Sequence, residues 1–130
     1  MPQTRQSGAA ASAWGRKTAR EIARLIGATI PVGSSNECVL NKERIVIHCA
    51  KRDTKNIGVT HNMLERVAKV LGAFEEDDGR FRILVLDRET FRSNLRPTAS
   101  TGASAGKVGI VEKAIFEREG DLLDVLILPE

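Results

Sequence analysis

Aromatic residues are scarce in this sequence, which has four Phe, one Trp and no Tyr. Single-strand binders and RNA-recognition sheets present several exposed rings on which bases stack, so the composition argues against those classes of protein. Aliphatic side chains must therefore supply most of the core. The length of 130 residues suits one domain that buries a sizeable core without disulfides or structural metals.

Cysteine is also scarce, with only Cys38 and Cys49 present. Two thiols cannot complete a tetrahedral metal site without further Cys or His ligands, so we interpret them as small buried hydrophobic residues. No apolar run approaches the ~20 residues of a membrane helix, and no stretch has the pattern of a secretory signal. We expect a soluble, cytoplasmic protein with no membrane partner.

Charge is distributed unevenly along the chain, whose net charge is +3. Residues 1–60 contain ten Lys or Arg against four Asp or Glu, a net of +6. Residues 61–130 contain ten against thirteen, a net of −3. This asymmetry favours an anionic partner for one face, and nucleic acid is the usual one because cations that neutralise phosphates release counterions. The alternative is a solvated surface with a chance imbalance.

The chain divides into an N-terminal arm and one domain. Residues 1–13 have no apolar period and are predicted to form a flexible arm. Residues 14–130 are predicted to form a single α+β domain, interrupted at 97–106 by a loop of small residues. Helical spacing of apolar residues predicts a first helix from about Gly15 to Ile26.

Two runs rich in β-branched residues, NECVLN and RIVIHCA, predict a hairpin after the first helix. With Lys42 and Glu43 as its loop residues, Glu37 would face His48 across the two strands. The same alternation places Cys38, Ile45, Ile47 and Cys49 on the apolar face.

Two strands, two helices and a second hairpin are predicted after the first hairpin. IGVT is interpreted as a short strand whose last residue, Thr60, caps a second helix from about His61 to Leu71. RFRILVLD predicts a strand from about Arg80 to Leu86, and RETFRSNL a short third helix. KVGIVEKAIFE and DLLDVLILP are interpreted as a C-terminal β-hairpin. The predicted fold is α+β, with a mixed, mainly antiparallel sheet, two main helices packed on it and this terminal hairpin.

One set of polar residues matches the chemistry of phosphodiester hydrolysis, which uses carboxylates to hold a divalent metal and a cation or proton donor near the attacked phosphate. Glu21 on the first helix and Glu37 on the first strand could hold Mg²⁺, and His48 and Lys51 could act beside them. The alternative is structural. Glu21 would then pair with a neighbouring Arg on the helix, and Glu37 with His48 across the strands.

The order of a helix with an acid, a strand with an acid, a bend and a second strand resembles the core of the restriction-endonuclease-like (PD-(D/E)XK) nuclease superfamily. The resemblance covers residues 15 to about 72, where Glu21 and Glu37 match the helix and first-strand acids of that family. Val46 and His48 depart from it, because they stand where the resemblance implies an acid or Gln and a Lys. Lys51 is the candidate for the cation, from a shifted position.

The resemblance implies a nucleic-acid-handling protein, either a divalent-metal-dependent nuclease or a catalytically impaired relative. On this interpretation Glu37, His48 and Lys51 are the catalytic candidates, and Glu21 and Glu37 the candidate ligands of Mg²⁺. The first alternative is a non-enzymatic nucleic-acid-binding module. Its phosphate contacts would come from Arg16, Lys17, Arg20, Lys51, Arg52 and Lys55. The second is an assembly module that forms a homo-oligomer through the exposed edge of the terminal hairpin.

Overall fold

The computed structural model describes residues 5–30, 36–96 and 108–128, with side chains described from Ala13 onward. These ranges contain helices α1 (Arg5–Ile26), α2 (His61–Arg66), α3 (Arg88–Ser93) and α4 (Lys113–Glu119). They contain strands β1 (Glu37–Leu40), β2 (Glu43–Ala50), β3 (Asn56–Thr60), β4 (Lys69–Glu75), β5 (Phe81–Asp87), β6 (Val108–Glu112) and β7 (Asp121–Leu126). The small-residue loop predicted at 97–106 lies outside the described residues.

Five strands form the main sheet in the order β1-β2-β4-β5-β7, and β3 pairs with β6 in a separate two-stranded sheet. Within the main sheet only β2 and β4 are parallel, and the other neighbouring pairs are antiparallel. The predicted α+β class with a mixed, mainly antiparallel sheet is therefore confirmed.

Both faces of the main sheet are covered. Helix α1 packs Ile22 and its neighbouring alanines against Ile45 and Ile47 of β2 and Leu71 of β4. On the opposite face, Val46 of β2 belongs to a second cluster together with residues of α2, α3, α4 and the two-stranded sheet. This double burial explains the nearly continuous apolar run of β2, because a strand covered on both faces lacks the alternation of a half-exposed one.

The hairpin of β1 and β2 forms as predicted, but its register differs by two residues. Glu37 pairs with Val46, and Leu40 pairs with Glu43. The loop residues are Asn41 and Lys42, both with positive φ (52° and 68°), as a two-residue type I′ turn requires. Asn tolerates this conformation better than most residues. The prediction that Glu37 faces His48 is therefore wrong, although the assignment of residues to the two faces holds.

The turn gives a stability prediction at Lys42. Replacing Lys42 by Gly is expected to raise the free energy of unfolding by about 0.5–1 kcal/mol, because glycine adopts a positive φ without the steric cost of a Cβ. Lys42 is exposed, so no packing is lost. Urea denaturation would measure the change. Lys42→Ala removes the same charge but keeps the Cβ, and an equal gain in that variant would contradict the conformational explanation.

The second helix is shorter than predicted. Thr60 does cap it, since the Thr60 side chain accepts a hydrogen bond from the Met63 backbone amide at 3.2 Å. The helix ends at Arg66, and the residues predicted as its second half form β4 instead. Residues 70–74 are all buried. Such a continuous apolar run is typical of a central strand covered on both faces, and the burial of this strand outweighs the helical spacing of Leu64, Val67 and Leu71.

The C-terminal region supplies two strands, but they do not pair with each other as a hairpin. Strand β6 pairs with β3, and β7 pairs with β5. Helix α4 separates them, in residues predicted as strand. The fully buried side chain of Phe116 anchors this helix in the core, and Gly120 follows its last turn.

Helix α1 begins at Arg5 rather than near Gly15. From Arg5 onward, the segment predicted as an N-terminal arm therefore belongs to α1. No helix in the described ranges combines the length and the apolar character needed to cross a membrane.

Candidate nucleic-acid interface

Glu21 lies on α1 and forms an ion pair with Arg24, one turn further along the helix. The hydrogen bond from Arg24 lowers the pKa of Glu21, which is therefore a carboxylate at neutral pH. The ion pair between Glu21 and Arg24 agrees with the structural alternative, in which Glu21 pairs with a neighbouring Arg of the helix.

Glu37 begins β1 and receives a hydrogen bond from Nε of Arg66 at 2.9 Å. Because Glu37 alternates with Cys38, its side chain points away from the face on which α1 packs. The two predicted metal ligands are therefore each paired with an arginine, Glu21 with Arg24 and Glu37 with Arg66, and Glu37 also borders a small cavity lined by residues of α1.

The described residues do not show a magnesium site. Mg²⁺ prefers octahedral oxygen coordination, usually with one or two carboxylates on a shared cavity. Among the residues in the described ranges, no three or more His, Cys, Asp or Glu side chains are grouped so that they could hold a metal ion. Glu21 and Glu37 do not share a cavity that could bring them to one ion. We therefore assign no step to a metal.

His48 lies on β2, on the same face as Glu37 and Val46. In the observed register Glu37 and His48 are diagonal neighbours, a relation that separates Cβ atoms by roughly 7–8 Å. Burial lowers the pKa of His48 below its ordinary value of 6.5. The imidazole is therefore neutral at pH 7 and adds no positive charge to the surface.

The lowered pKa of His48 predicts how stability depends on pH. A histidine with a lower pKa in the folded chain takes up a proton on unfolding, so its stabilising contribution is complete above about pH 6.5 and falls as the pH drops toward the lowered pKa. The free energy of unfolding should fall in this window by at most about 1.4 kcal/mol per pH unit. Denaturation curves of His48→Gln should lack this component. The exposed His61 provides the matched control, and loss of the component in His61→Gln instead would contradict the assignment.

Both cysteines are free thiols and are at least partly buried. Burial raises the pKa of Cys38 to about 11 and that of Cys49 to about 12. Both are therefore protonated and poorly nucleophilic at neutral pH. Cys38 belongs to the core cluster under α1, as predicted for a small buried hydrophobic residue, and the partly buried Cys49 packs against that cluster.

The outer face of α1 is basic. A cavity of about 650 Å³ along it is lined by Arg16, Lys17, Arg20 and Arg24. Glu21 is the one acid among the described residues that line this cavity. Arg16 and Lys17 are exposed. This face presents several cations side by side over the length of about two helical turns.

A second cavity, of about 460 Å³, adjoins the first because Arg16 lines both. Residues from α1, from the position before β1, and from the end of β2 and its following loop also border it. They are Trp14, Gly15, Asn36, His48, Cys49, Lys51 and Thr54. The Nζ atom of Lys51 lies 4.8 Å from the centroid of the Trp14 ring, a cation–π distance. We call the five cations Arg16, Lys17, Arg20, Arg24 and Lys51 the basic surface.

The six cations predicted to contact phosphate are thus only partly brought together. Four of them, Arg16, Lys17, Arg20 and Lys51, belong to the basic surface. Arg52 is tied to Glu75, whose Oε1 lies 3.6 Å from its Nε atom. Lys55 borders a separate cavity that also contains two acids.

Two features of this surface were not predicted from the sequence. Arg24 extends the cavity along α1, although its spacing after Arg20 already placed it on the same helical face. Trp14 was interpreted only as the first residue of the predicted domain. The signal in the sequence was position: this lone tryptophan stands just before Arg16 and Lys17, which could have indicated a ring beside the basic residues.

The fold and this surface define an α+β domain with a mixed sheet and a basic face on its first helix. No protein-family model matches the chain. A search of curated proteins found no match either. Among solved structures, the chain is similar to the 1.6 Å structure of Hjc, a Holliday junction resolvase from the archaeal hyperthermophile Archaeoglobus fulgidus. The TM-score is 0.48 with 11% identity, and the alignment covers 84% of this chain and 91% of the resolvase.

A TM-score of 0.48 carries no argument about the family, so the resemblance drawn from residues 15–72 stays a prediction. At this TM-score and identity the likeness does not extend to a function. What this chain does must be inferred from its own residues.

Proposed function

We propose that this chain binds nucleic acid through the basic surface. The observation that carries the proposal is the position of Arg16, which lines both the α1 cavity and the cavity that holds Lys51. Five cations therefore follow one another across two adjoining concave regions. Guanidinium and ammonium groups neutralise phosphates, and counterion release supplies the affinity.

The charge pattern of the chain supports the same face. The net charge of +6 is carried by residues 1–60, which contain all five cations of the basic surface. Arg24 is partly neutralised by Glu21, so Arg16, Lys17 and Lys51 are expected to contribute most. His48 is neutral at pH 7 and is expected to contribute little.

Binding can be tested by the fluorescence anisotropy of labelled single-stranded and duplex oligonucleotides. The variant Arg16→Ala/Lys17→Ala is expected to weaken binding to both by about 25-fold, from about 1 kcal/mol for each exposed charge contact. Arg92→Ala/Arg118→Ala removes two exposed arginines of α3 and α4 and should leave affinity unchanged. Equal losses in the two variants would point to net charge rather than to this surface. Absence of binding by the unaltered chain would reject the proposal.

Cleavage by Glu37, His48 and Lys51 stays a prediction. His48 and Lys51 border one cavity, and Glu37 lies on the same face as His48, but Arg66 occupies its carboxylate. Incubation with plasmid DNA in Mg²⁺ or Mn²⁺ decides the matter. Nicking that Glu37→Ala abolishes would support the catalytic assignment, whereas nicking unaffected by that change would reject it. An uncut plasmid would leave the binding function alone.

A second candidate function, assembly into a homo-oligomer, is favoured by β7. This strand ends the main sheet, so its outer edge has no strand partner among the described residues. Leu122 is 58% exposed and Ile127 is 71% exposed, and Leu123 and Val125 are also exposed. An uncovered apolar edge with unpaired backbone groups is a typical site of strand addition.

The register of β7 favours a second copy of the chain as its partner. Leu122 lies opposite Leu84, and Val125 lies opposite Arg82. Leu122 and Val125 therefore share one face, because an irregularity at Leu123 shifts the alternation. Antiparallel pairing about a two-fold axis between Leu123 and Asp124 would place Leu122 opposite Val125 of the second copy. In that register no Asp lies opposite another Asp.

Light scattering coupled to size-exclusion chromatography tests this assembly. A dimer that Leu122→Lys/Val125→Lys converts to a monomer supports it. Leu25→Lys replaces an exposed leucine of α1 and is the matched control. A monomer at all concentrations, or a dimer that the β7 variant leaves intact, would reject β7 as the interface.

A further inference from the structure

Trp14 is the single tryptophan of the chain and is only partly buried. Its ring contacts Phe81, with ring centroids 6.3 Å apart and ring planes tilted by 35°. The Nζ atom of Lys51 lies over the ring at 4.8 Å from its centroid. The ring is therefore held from the core side by the buried Phe81, while the exposed Lys51 covers it on the side of the cavity.

The cavity beside Trp14 has the volume and the chemistry of a nucleotide site. Its 460 Å³ falls within the roughly 300–1,000 Å³ of typical small-molecule sites. Arg16 and Lys51 can neutralise phosphate. Asn36 and Thr54 add an amide and a hydroxyl, which can hydrogen-bond a sugar or the edge of a base. Aromatic ring, cations and neutral polar groups thus border one concave region.

We propose that this cavity receives one unpaired base of a bound nucleic acid, stacked on Trp14 in the place now taken by the Lys51 ammonium group. Lys51 would then move to the phosphate of the same nucleotide. Stacking needs an aromatic face and a base that is not already stacked in a duplex. The inference rests on the proposed function and adds a substrate class to it, namely nucleic acid with a single-stranded or unpaired nucleotide.

The arrangement also explains why one ring can suffice. A protein that tracks a long single strand presents a series of rings, and this chain has too few aromatic residues for such a series. A single ring beside the basic surface suits a substrate that is mostly held by its phosphates and offers one unpaired base. Charge would then supply most of the affinity, and Trp14 would supply the discrimination.

The single tryptophan gives this proposal a direct readout. Trp14 emission is followed while a single-stranded oligonucleotide or a duplex of the same sequence is added to the full chain. Anisotropy of labelled copies measures binding independently. We expect the single strand to quench the emission with the midpoint found by anisotropy, and the duplex to bind without comparable quenching.

Two variants separate stacking from packing. Trp14→Leu keeps an apolar side chain against Phe81 but has no ring, and it should reduce the preference for the single strand by about 5- to 150-fold, the range of one stacked base. Trp14→Phe keeps a ring and should retain most of the preference. If Trp14→Leu fails to fold, as judged by circular dichroism, the quenching of the unaltered chain and the Trp14→Phe affinities decide.

The outcomes distinguish the inference from the proposed function. Binding by anisotropy with no quenching by the single strand would overturn base stacking on Trp14, and Lys51 would then simply cover the ring while the basic surface still bound phosphate. Quenching with an unchanged preference in Trp14→Leu would also overturn it. No binding of either oligonucleotide would overturn both the inference and the proposed function.

Discussion

Replacing Phe116 by Ala is expected to lower the free energy of unfolding by about 3–5 kcal/mol. The Phe116 side chain is fully buried. Its ring meets Phe74 edge to face, with centroids 5.3 Å apart, and Phe91 in a similar arrangement at 6.2 Å. Three of the four phenylalanines of the chain thus form one aromatic cluster, which packs α3 and α4 against β4. Removal of the central ring leaves a cavity and two edge-to-face contacts without a partner.

Denaturation in urea, followed by circular dichroism, measures the loss. Phe116→Leu is the matched control, because it keeps most of the apolar volume and should cost about 1.5 kcal/mol or less. A loss below about 1 kcal/mol in Phe116→Ala would mean that α4 contributes little to the core. Since a domain of ordinary stability is held by about 5–15 kcal/mol, the Ala variant is expected to be close to unfolding.

The same cluster explains a glycine in the middle of β4. A Cβ atom at Gly72 would lie 2.6 Å from the Phe74 ring and 3.1 Å from that of Phe116. Neither ring can withdraw, because both are fully buried. The glycine therefore makes room for the aromatic cluster at the centre of the sheet.

Local sequence signals predicted the elements whose boundaries are set locally. The Thr60 cap, the hairpin of β1 and β2, strand β5 and helix α3 each follow from capping, turn or alternation patterns. The parallel pairing of β2 with β4 could not be predicted in this way. It depends on burial of residues 70–74 by two layers whose residues are distant in sequence. The helical spacing of Leu64, Val67 and Leu71 predicted a helix there instead.

The prediction of a C-terminal hairpin was wrong for a related reason. The apolar residues of KVGIVEKAIFE predicted one strand. In the structure β6 ends at Glu112, and the following helix α4 places Phe116 in the aromatic cluster. The predicted hairpin register was wrong because it placed Lys42 and Glu43 in the turn. The turn residues with positive φ are Asn41 and Lys42. A shift of two residues preserves the faces of the strands, so the core side of β2 was nevertheless predicted.

The candidate site was predicted by residue type more successfully than by position. The cations of α1 lie on one helical face because their spacing is local. Lys51 joins them only because β2 ends beside Trp14 and Arg16 in the middle of α1, which the sequence does not indicate. Glu21 and Glu37 are each ion-paired with an arginine; the pair with Arg24 is local in sequence, whereas the pair with Arg66 depends on the fold.

Raising the NaCl concentration from about 50 to about 200 mM is expected to weaken duplex binding by about 150- to 500-fold. The estimate takes four to five phosphate contacts, each contributing about 0.9 to the slope of log affinity against log salt for duplex DNA. The lower value applies if Glu21 keeps Arg24 from the phosphates. Anisotropy titrations over a series of salt concentrations give the slope directly.

The variants separate the contributions to that slope. Arg16→Ala/Lys17→Ala should reduce it by about 1.8, since each lost phosphate contact removes about 0.9, while Arg92→Ala/Arg118→Ala should leave it unchanged. Affinity that does not respond to salt would contradict binding through phosphate neutralisation. Stacking of a base on Trp14 releases no counterion, so single-strand binding at high salt should retain a component that Trp14→Leu removes and that Arg16→Ala/Lys17→Ala does not.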